Sequence, residues 1–245
     1  MLVSLDSDPR QRLAFPLDYP DLAAARRGAE LVRESVGVLK VGLELFVREG
    51  AAAVQLGPAL GCDVFLDLKL HDIPATVDGA VASAAALGAR YLTIHASGGP
   101  RMVEAAVQRA ARDNPRLVIL AVTVLTSLDD ADLANMGVAA KAGEQALCLA
   151  KVAHGAGARG FVCSPSELRT MRQALGSDVV LATPGIRPAG AVAGDQKRTG
   201  TPREAVLDGA DLLVVGRPIR DAQDPAAAAR AIVAEIDGAL REAAR

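Results

Sequence analysis

The stretch Cys62-Asp63-Val64-Phe65-Leu66-Asp67-Leu68, followed by Lys69-Leu70-His71-Asp72, decides how this chain is read. Its first part is a nearly continuous apolar run, the pattern of a strand buried on both faces in a parallel sheet. Its downstream end turns charged. Strand side chains two apart share a face, so Asp67 and Lys69 are expected to point the same way. Asp72 follows at the expected start of a helix.

Seven more runs of this kind occur, at Leu13–Asp18, Val36–Gly42, Ala89–His95, Leu117–Val124, Ala158–Cys163, Asp178–Thr183 and Ala210–Val215. They begin roughly 30 residues apart, the length of one βα unit. Helical stretches separate them. Pro20–Ser35 carries Leu22, Ala25, Ala29 and Val32 on one stripe. Pro100–Arg112 and Pro165–Leu175 open on proline, a favoured first helical residue, and Asp224-Pro225 opens an Ala-rich final helix. Gly88, Gly157 and Gly209 each precede a strand, where a helix-ending glycine belongs. Eight βα units without a linker predict an α/β protein, a (β/α)8 TIM barrel forming a single domain over residues 1–245. A doubly wound open sheet alternates in the same way and is the architectural alternative.

Composition narrows the function classes. Half of the 245 residues are apolar (51%), enough for a large core, and Trp is absent, so Val, Leu, Ile and Ala must fill it. A net charge of −2 argues against nucleic acid or an anionic membrane as the main partner. A small anionic ligand needs only a local patch. Cys62, Cys148 and Cys163 are odd in number and lack metal-type spacing, so they read as thiols of a reducing, cytoplasmic compartment. The first residues lack the basic-then-apolar order of a signal peptide, and no apolar stretch suits a membrane span.

Reactive residues gather at the downstream strand ends: Asp18, Lys40, Asp67 with Lys69, His95, Thr123 and Thr126, Gly185 and Arg187, Gly216 and Arg217. In a barrel these ends share one rim, where active sites of the fold lie. Lys40, Asp67, Lys69 and Asp72 alternate in sign and are expected to form one network; a purely structural salt-bridge cluster is the bland alternative. Val215-Gly216-Arg217-Pro218-Ile219 suits phosphate binding, because glycine permits close backbone approach and arginine offers a planar fork. The long connection from Thr183 to Thr199, with Gly194-Asp195-Gln196-Lys197-Arg198, reads as a lid or as a surface insertion. His95 reads as a supporting rather than a catalytic histidine, and His71 with Asp72 finds no metal-ligand partner at the usual spacings.

These stretches resemble the orotidine 5'-phosphate decarboxylase family, most of all its bacterial branch. The likeness runs from Leu17 to about Pro225 through Leu17-Asp18-Tyr19-Pro20, Leu39-Lys40-Val41-Gly42, Asp67-Leu68-Lys69-Leu70-His71-Asp72-Ile73-Pro74, His95-Ala96-Ser97-Gly98-Gly99, Leu125-Thr126-Ser127, Thr183-Pro184-Gly185-Ile186-Arg187-Pro188, Gly194-Asp195-Gln196-Lys197-Arg198 and Val214-Val215-Gly216-Arg217-Pro218-Ile219. The resemblance implies conversion of orotidine 5'-monophosphate (OMP) to uridine 5'-monophosphate (UMP) and CO2, with neither metal nor organic cofactor. It implies that Lys69 protonates C6 of the pyrimidine and that Asp67 lies beside the departing carboxylate. Asp18 and Lys40 would bind the ribose hydroxyls, Thr126 the uracil edge, and Gly216 with Arg217 the phosphate. Arg187 and Gln196 would belong to the closing loop. Asp72, with Ile73 and Thr76 near it, would reach the neighbouring subunit's site, which makes the enzyme a homodimer.

Two positions depart from the family pattern. Pro16 stands in the first strand in place of a small residue with an N–H, and should cost a ladder donor near Asp18. Ala75 stands where Asn is frequent. Two rival readings share these residues. Keto-gulonate phosphate decarboxylases and hexulose phosphate synthases carry a similar Asp-x-Lys-x-x-Asp strand and use Mg²⁺. A catalytically silent UMP-binding regulator could use the same barrel.

Overall fold

The computed structural model describes residues 8–188 and 200–244. All eight expected strands are present: β1 Leu13–Pro16, β2 Val38–Val41, β3 Asp63–Leu70, β4 Tyr91–His95, β5 Val118–Val122, β6 Gly160–Val162, β7 Val180–Thr183 and β8 Leu212–Val214. They pair in parallel and in sequence order, and β8 closes onto β1 through Leu13↔Leu213 and Ala14↔Val214. This closure rules out the open doubly wound sheet. Most strands are shorter than the apolar runs that contain them, whereas β3 runs on to Leu70.

Strand alternation divides the core in two. Ala14, Val38, Phe65, Tyr91, Val118, Leu120, Val180, Ala182 and Leu212 pack together inside the barrel. Their neighbours, including Leu39, Leu66, Leu92, Ile119, Phe161 and Leu181, face outward and meet helix residues such as Ala29, Val81, Met102, Ala150 and Ile232. With few aromatics available, Phe65 and Tyr91 fill the interior edge to face, their ring centroids 6.1 Å apart. Two residues beyond this inner layer, the same inward register brings Pro16, Lys40, Asp67 and Thr93 to the mouth.

The helices follow their caps. The first begins at Leu22, later than the expected Pro20, because the Asp21 carboxylate accepts the Ala24 N–H at 2.8 Å. Pro165–Glu167 forms a separate 3-10 turn before the helix Leu168–Leu175, since the Glu167 carboxylate folds back to accept the Ser164 N–H at 2.8 Å. The helices Pro100–Asp113 and Pro225–Ala243 start where expected. Three short helices, Leu43–Glu49, Ala51–Val54 and Leu56–Ala59, link β2 to β3, with Gly50 breaking the first from the second at φ 56°. No helix among the described residues is long and apolar enough to cross a membrane.

The barrel wall leaves no room at Gly160 on β6. A Cβ there would lie 2.6 Å from Leu120 Cδ2 and 2.7 Å from the Ile119 carbonyl oxygen. Gly160→Ala should lower stability by about 1–3 kcal/mol, the usual cost of overpacking, read as a lower urea midpoint. An unchanged midpoint would mean that the wall yields.

Candidate active site

The mouth of the barrel opens into a cavity of about 360 Å³, a size suited to a small ligand. Asp18, Lys40, Asp67, Lys69, Thr126, Arg187, Gly216 and Arg217 all line it. Eight residues expected to act together thus converge from β1, β2, β3 and the loops after β5, β7 and β8. Its floor is apolar, formed by Phe65, Val122, Val162, Ala182 and Val214.

One side of the cavity carries a chain of alternating charge. Lys69 Nζ donates to Asp67 Oδ1 at 2.8 Å, Lys40 Nζ lies 3.4 Å from Asp67 Oδ2, and Lys40 Nζ also lies 3.6 Å from Asp18 Oδ1. Asp67 and Lys40 are nearly buried, whereas Asp18 is half exposed at 51%. Burial pushes the Asp67 carboxyl up, but the Lys40 and Lys69 charges and hydrogen bonds from Lys69 and Thr93 outweigh it. The net effect holds Asp67 below its ordinary value of 3.8, so it is ionised at neutral pH.

Simple alternation does not place Lys69. Between the pairs Leu66↔Leu92 and Leu70↔Ile94 the register of β3 shifts against β4, and Lys69 turns into the left-handed region at φ 49°. A bulge of this sort re-aims a side chain at the edge of a barrel. The Lys69 N–H donates to the Thr93 hydroxyl at 2.9 Å, and that hydroxyl donates to Asp67 Oδ1 at 2.9 Å. Thr93 escaped the sequence reading; its one signal was a hydroxyl within the otherwise apolar start of β4, at the inward register.

His95 is also a neighbour rather than a lining residue. Its ring lies 5.3 Å from that of His71. Burial, then electrostatic interaction with His71 and with the Lys69 ammonium, lower its pKa below 6.5 against the opposing Asp67, so the imidazole is neutral near pH 7.

Gly216, Arg217 and Arg187 also line the cavity. Gly216 caps the short helix Arg217–Arg220, and a Cβ on Gly216 would lie 2.9 Å from Pro16 Cγ. The expected loss of a donor at Pro16 does not disturb the sheet. The Leu17 N–H donates to the Lys40 carbonyl at 2.8 Å, while pairing of β1 with β8 has already ended at Ala14. The proline ring packs under the glycine of the anion loop. Arg187 is buried at 8% exposure, and its Nε has no hydrogen-bond partner among the described residues. A buried guanidinium N–H without an acceptor is costly, and an anion in the cavity would satisfy it. The Arg187 N–H pairs with the Gly200 carbonyl at 2.9 Å. Arg220, also missed in the sequence, donates to the Asp18 carbonyl at 3.2 Å.

Three expected site residues do not line this cavity. Asp72, Ile73 and Thr76 are exposed, and the Asp72 carboxylate accepts the Ile73 N–H at 2.6 Å. Asp72 therefore stands apart from the charge chain, two residues past the end of β3. Gln196 and the Gly194–Thr199 segment lie outside the described residues. Among the described residues, no group of three or more His, Cys, Asp or Glu side chains is placed to hold a metal ion.

A closed (β/α)8 barrel whose mouth gathers a paired charge chain and two arginines into one cavity has the architecture of an enzyme for a small ligand. The family model described as Orotidine 5'-phosphate decarboxylase / HUMPS family matches residues 11–232, and the chain belongs to that family. A relative named orotidine 5'-phosphate decarboxylase from Anaeromyxobacter sp. (strain K) is 57% identical over 228 residues, covering 93% of this chain and 99% of its own. Another of that name from Thermobifida fusca is 52% identical over 225 residues, covering 91% and 95%. The crystal structure of orotidine 5'-phosphate decarboxylase from Lactobacillus acidophilus superposes with a TM-score of 0.80 at 36% identity, covering 91% of this chain and 98% of that one.

The charge chain makes stability depend on pH with a definite sign. A depressed Asp67 pKa contributes stability that is present above its unfolded value and is lost as pH falls through the folded one. Lys40→Met removes one of the two cations and lets burial raise that pKa. The variant should be less stable than the wild type by about 1–3 kcal/mol at pH 7, and the gap should narrow toward pH 4 in urea titrations. A gap that does not change with pH would contradict the pairing.

Proposed function

We propose that this chain is a cofactor-independent carboxy-lyase that converts OMP to UMP and CO2, the last step of UMP synthesis, acting as one (β/α)8-barrel domain over residues 1–245 in the cytoplasm. The observation that carries this reading is Lys69 Nζ held 2.8 Å from a buried, ionised Asp67 in the cavity that also holds Arg217. Curated relatives bearing the decarboxylase name support the substrate.

The chemistry follows from the charges. When the C6–carboxylate bond breaks, CO2 leaves and the electron pair stays on C6 of the pyrimidine. The Lys69 ammonium stabilises that developing charge and then transfers a proton to it, regaining one from solvent. Asp67 beside the substrate carboxylate places two like charges together, a repulsion relieved as CO2 departs. Asp18 and Lys40 hold the ribose hydroxyls and Thr126 meets the uracil edge. Gly216 and Arg217 take the phosphate, whose remote binding energy orients the ring over Lys69, and Arg187 and Gln196 belong to the loop that closes over it. The exposed Asp72, Ile73 and Thr76 complete the site of a second copy, so the working enzyme is a homodimer.

Lys69→Ala should leave UMP binding measurable and abolish CO2 release, followed as loss of OMP absorbance, and excess EDTA should leave wild-type turnover unchanged. Release of CO2 by the variant would remove Lys69 from the mechanism; loss of wild-type activity in EDTA would point to the Mg²⁺-dependent sugar-phosphate lyases. The shared site has its own test. Lys69→Ala and Asp72→Asn are each expected to be inactive, and refolding them together at equal concentration should restore about a quarter of wild-type activity, since half the dimers are mixed and each has one intact site. No restoration would exclude the shared site.

A further inference from the structure

Lys69 is the only non-glycine residue with a positive φ among the described residues. Single residues in sparsely populated backbone regions persist where their surroundings hold them. The cause of the strain lies in the register. From Leu66 to Leu70 β3 advances four residues while β4 advances two, from Leu92 to Ile94, so β3 carries two extra residues. Such a bulge strips ladder partners from the backbone inside it. Thr93 is the residue of β4 opposite the excess, and it is 1% exposed. Its hydroxyl takes the Lys69 N–H at 2.9 Å and donates to Asp67 Oδ1 at 2.9 Å, the same oxygen that Lys69 Nζ reaches at 2.8 Å. A hydroxyl has a single proton, an amide can only donate and a carboxylate can only accept, so the polarity of this bridge is fixed.

We propose that Thr93 is a positioning residue for the decarboxylation, its hydroxyl clamping the strained Lys69 backbone and the Asp67 carboxylate together so that ammonium and carboxylate meet the C6 bond in one arrangement. This rests on the function proposed above. Thr93 lies beneath the cavity wall and acts through Lys69 and Asp67 alone. The hydroxyl replaces the ladder acceptor that the bulge removed. Valine has the same shape but supplies neither bond, and serine supplies both.

Thr93→Val should lower kcat about tenfold to hundredfold, the range for a lost hydrogen bond to a charged group. KM for OMP and Kd for UMP should move by less than about threefold, because the clamp serves the reacting groups and not the phosphate corner. Thr93→Ser should stay within about threefold of the wild type in kcat. In Thr93→Val the Lys69 amide should also exchange with deuterium faster than in the wild type, as its acceptor is gone. A folded Thr93→Val with wild-type kcat, or a Thr93→Ser that falls as far as the valine variant, overturns the proposal. Should Thr93→Val not fold, Thr93→Ser alone decides, and a kcat more than about tenfold below wild type overturns the clamp. Wild-type protein that releases no CO2 from OMP would sink the function instead, and the Lys69 amide would still report whether Thr93 holds it.

Discussion

A carboxylate with little access to water, facing two ammonium groups, is the constraint on which this molecule depends. Asp67 can remain ionised inside the barrel mouth only while Lys40 and Lys69 stay within reach and Thr93 supplies a further bond. Each partner comes from a different place in the chain: Lys40 from β2, Lys69 from within the bulge in β3, and Thr93 from β4. Parallel pairing of β3 with β2 on one side and β4 on the other is what makes them neighbours. Separated from its cations, the same carboxylate would be driven toward its neutral form by burial, and the charge that the proposed chemistry needs would be lost.

The cavity is divided by charge in a way that suits a substrate with two different ends. Asp18, Lys40, Asp67 and Lys69 form a self-neutralising line, tightest between Lys69 and Asp67. Gly216, Arg217 and Arg187 line the same cavity, and the buried Arg187 Nε has no acceptor among the described residues. An anion satisfies that donor, whereas the charge line is already complete. This asymmetry favours binding at the arginines and chemistry at the lysine. Pro16 joins the two halves: its residue pairs with Lys40 on β2, while its ring packs beneath Gly216.

Asp72, Ile73 and Thr76 fit a different arrangement from the one their spacing suggests. They lie close to Asp67 and Lys69 in the chain, but they are exposed. An exposed Ile73 at 66% beside an exposed carboxylate is a surface suited to a second copy, and the proposed sharing of the site gives both residues a use.

Much of this was legible before any coordinates. Eight apolar runs with charges at their downstream ends determined the strand count, the parallel order and the identity of the rim, because a buried parallel strand has no polar face and βα connections leave each active-site residue on the same edge. The cores of all eight strands, and eight rim residues from Asp18 to Arg217, followed from that pattern. The bulge in β3 and the part played by Thr93 did not, and closure, which the eight-unit pattern favoured over an open sheet, became definite only with the pairing of β8 to β1. They depend on how β3 registers against β4 and β8 against β1, and register is set by contacts between segments distant in sequence. For the same reason the pattern joined Asp72 to the charge chain, while the fold sets it apart. Local sequence determined which residues reach the rim; only the packed barrel decided how they face one another, since backbone strain and pairing across strands have no signature in spacing alone.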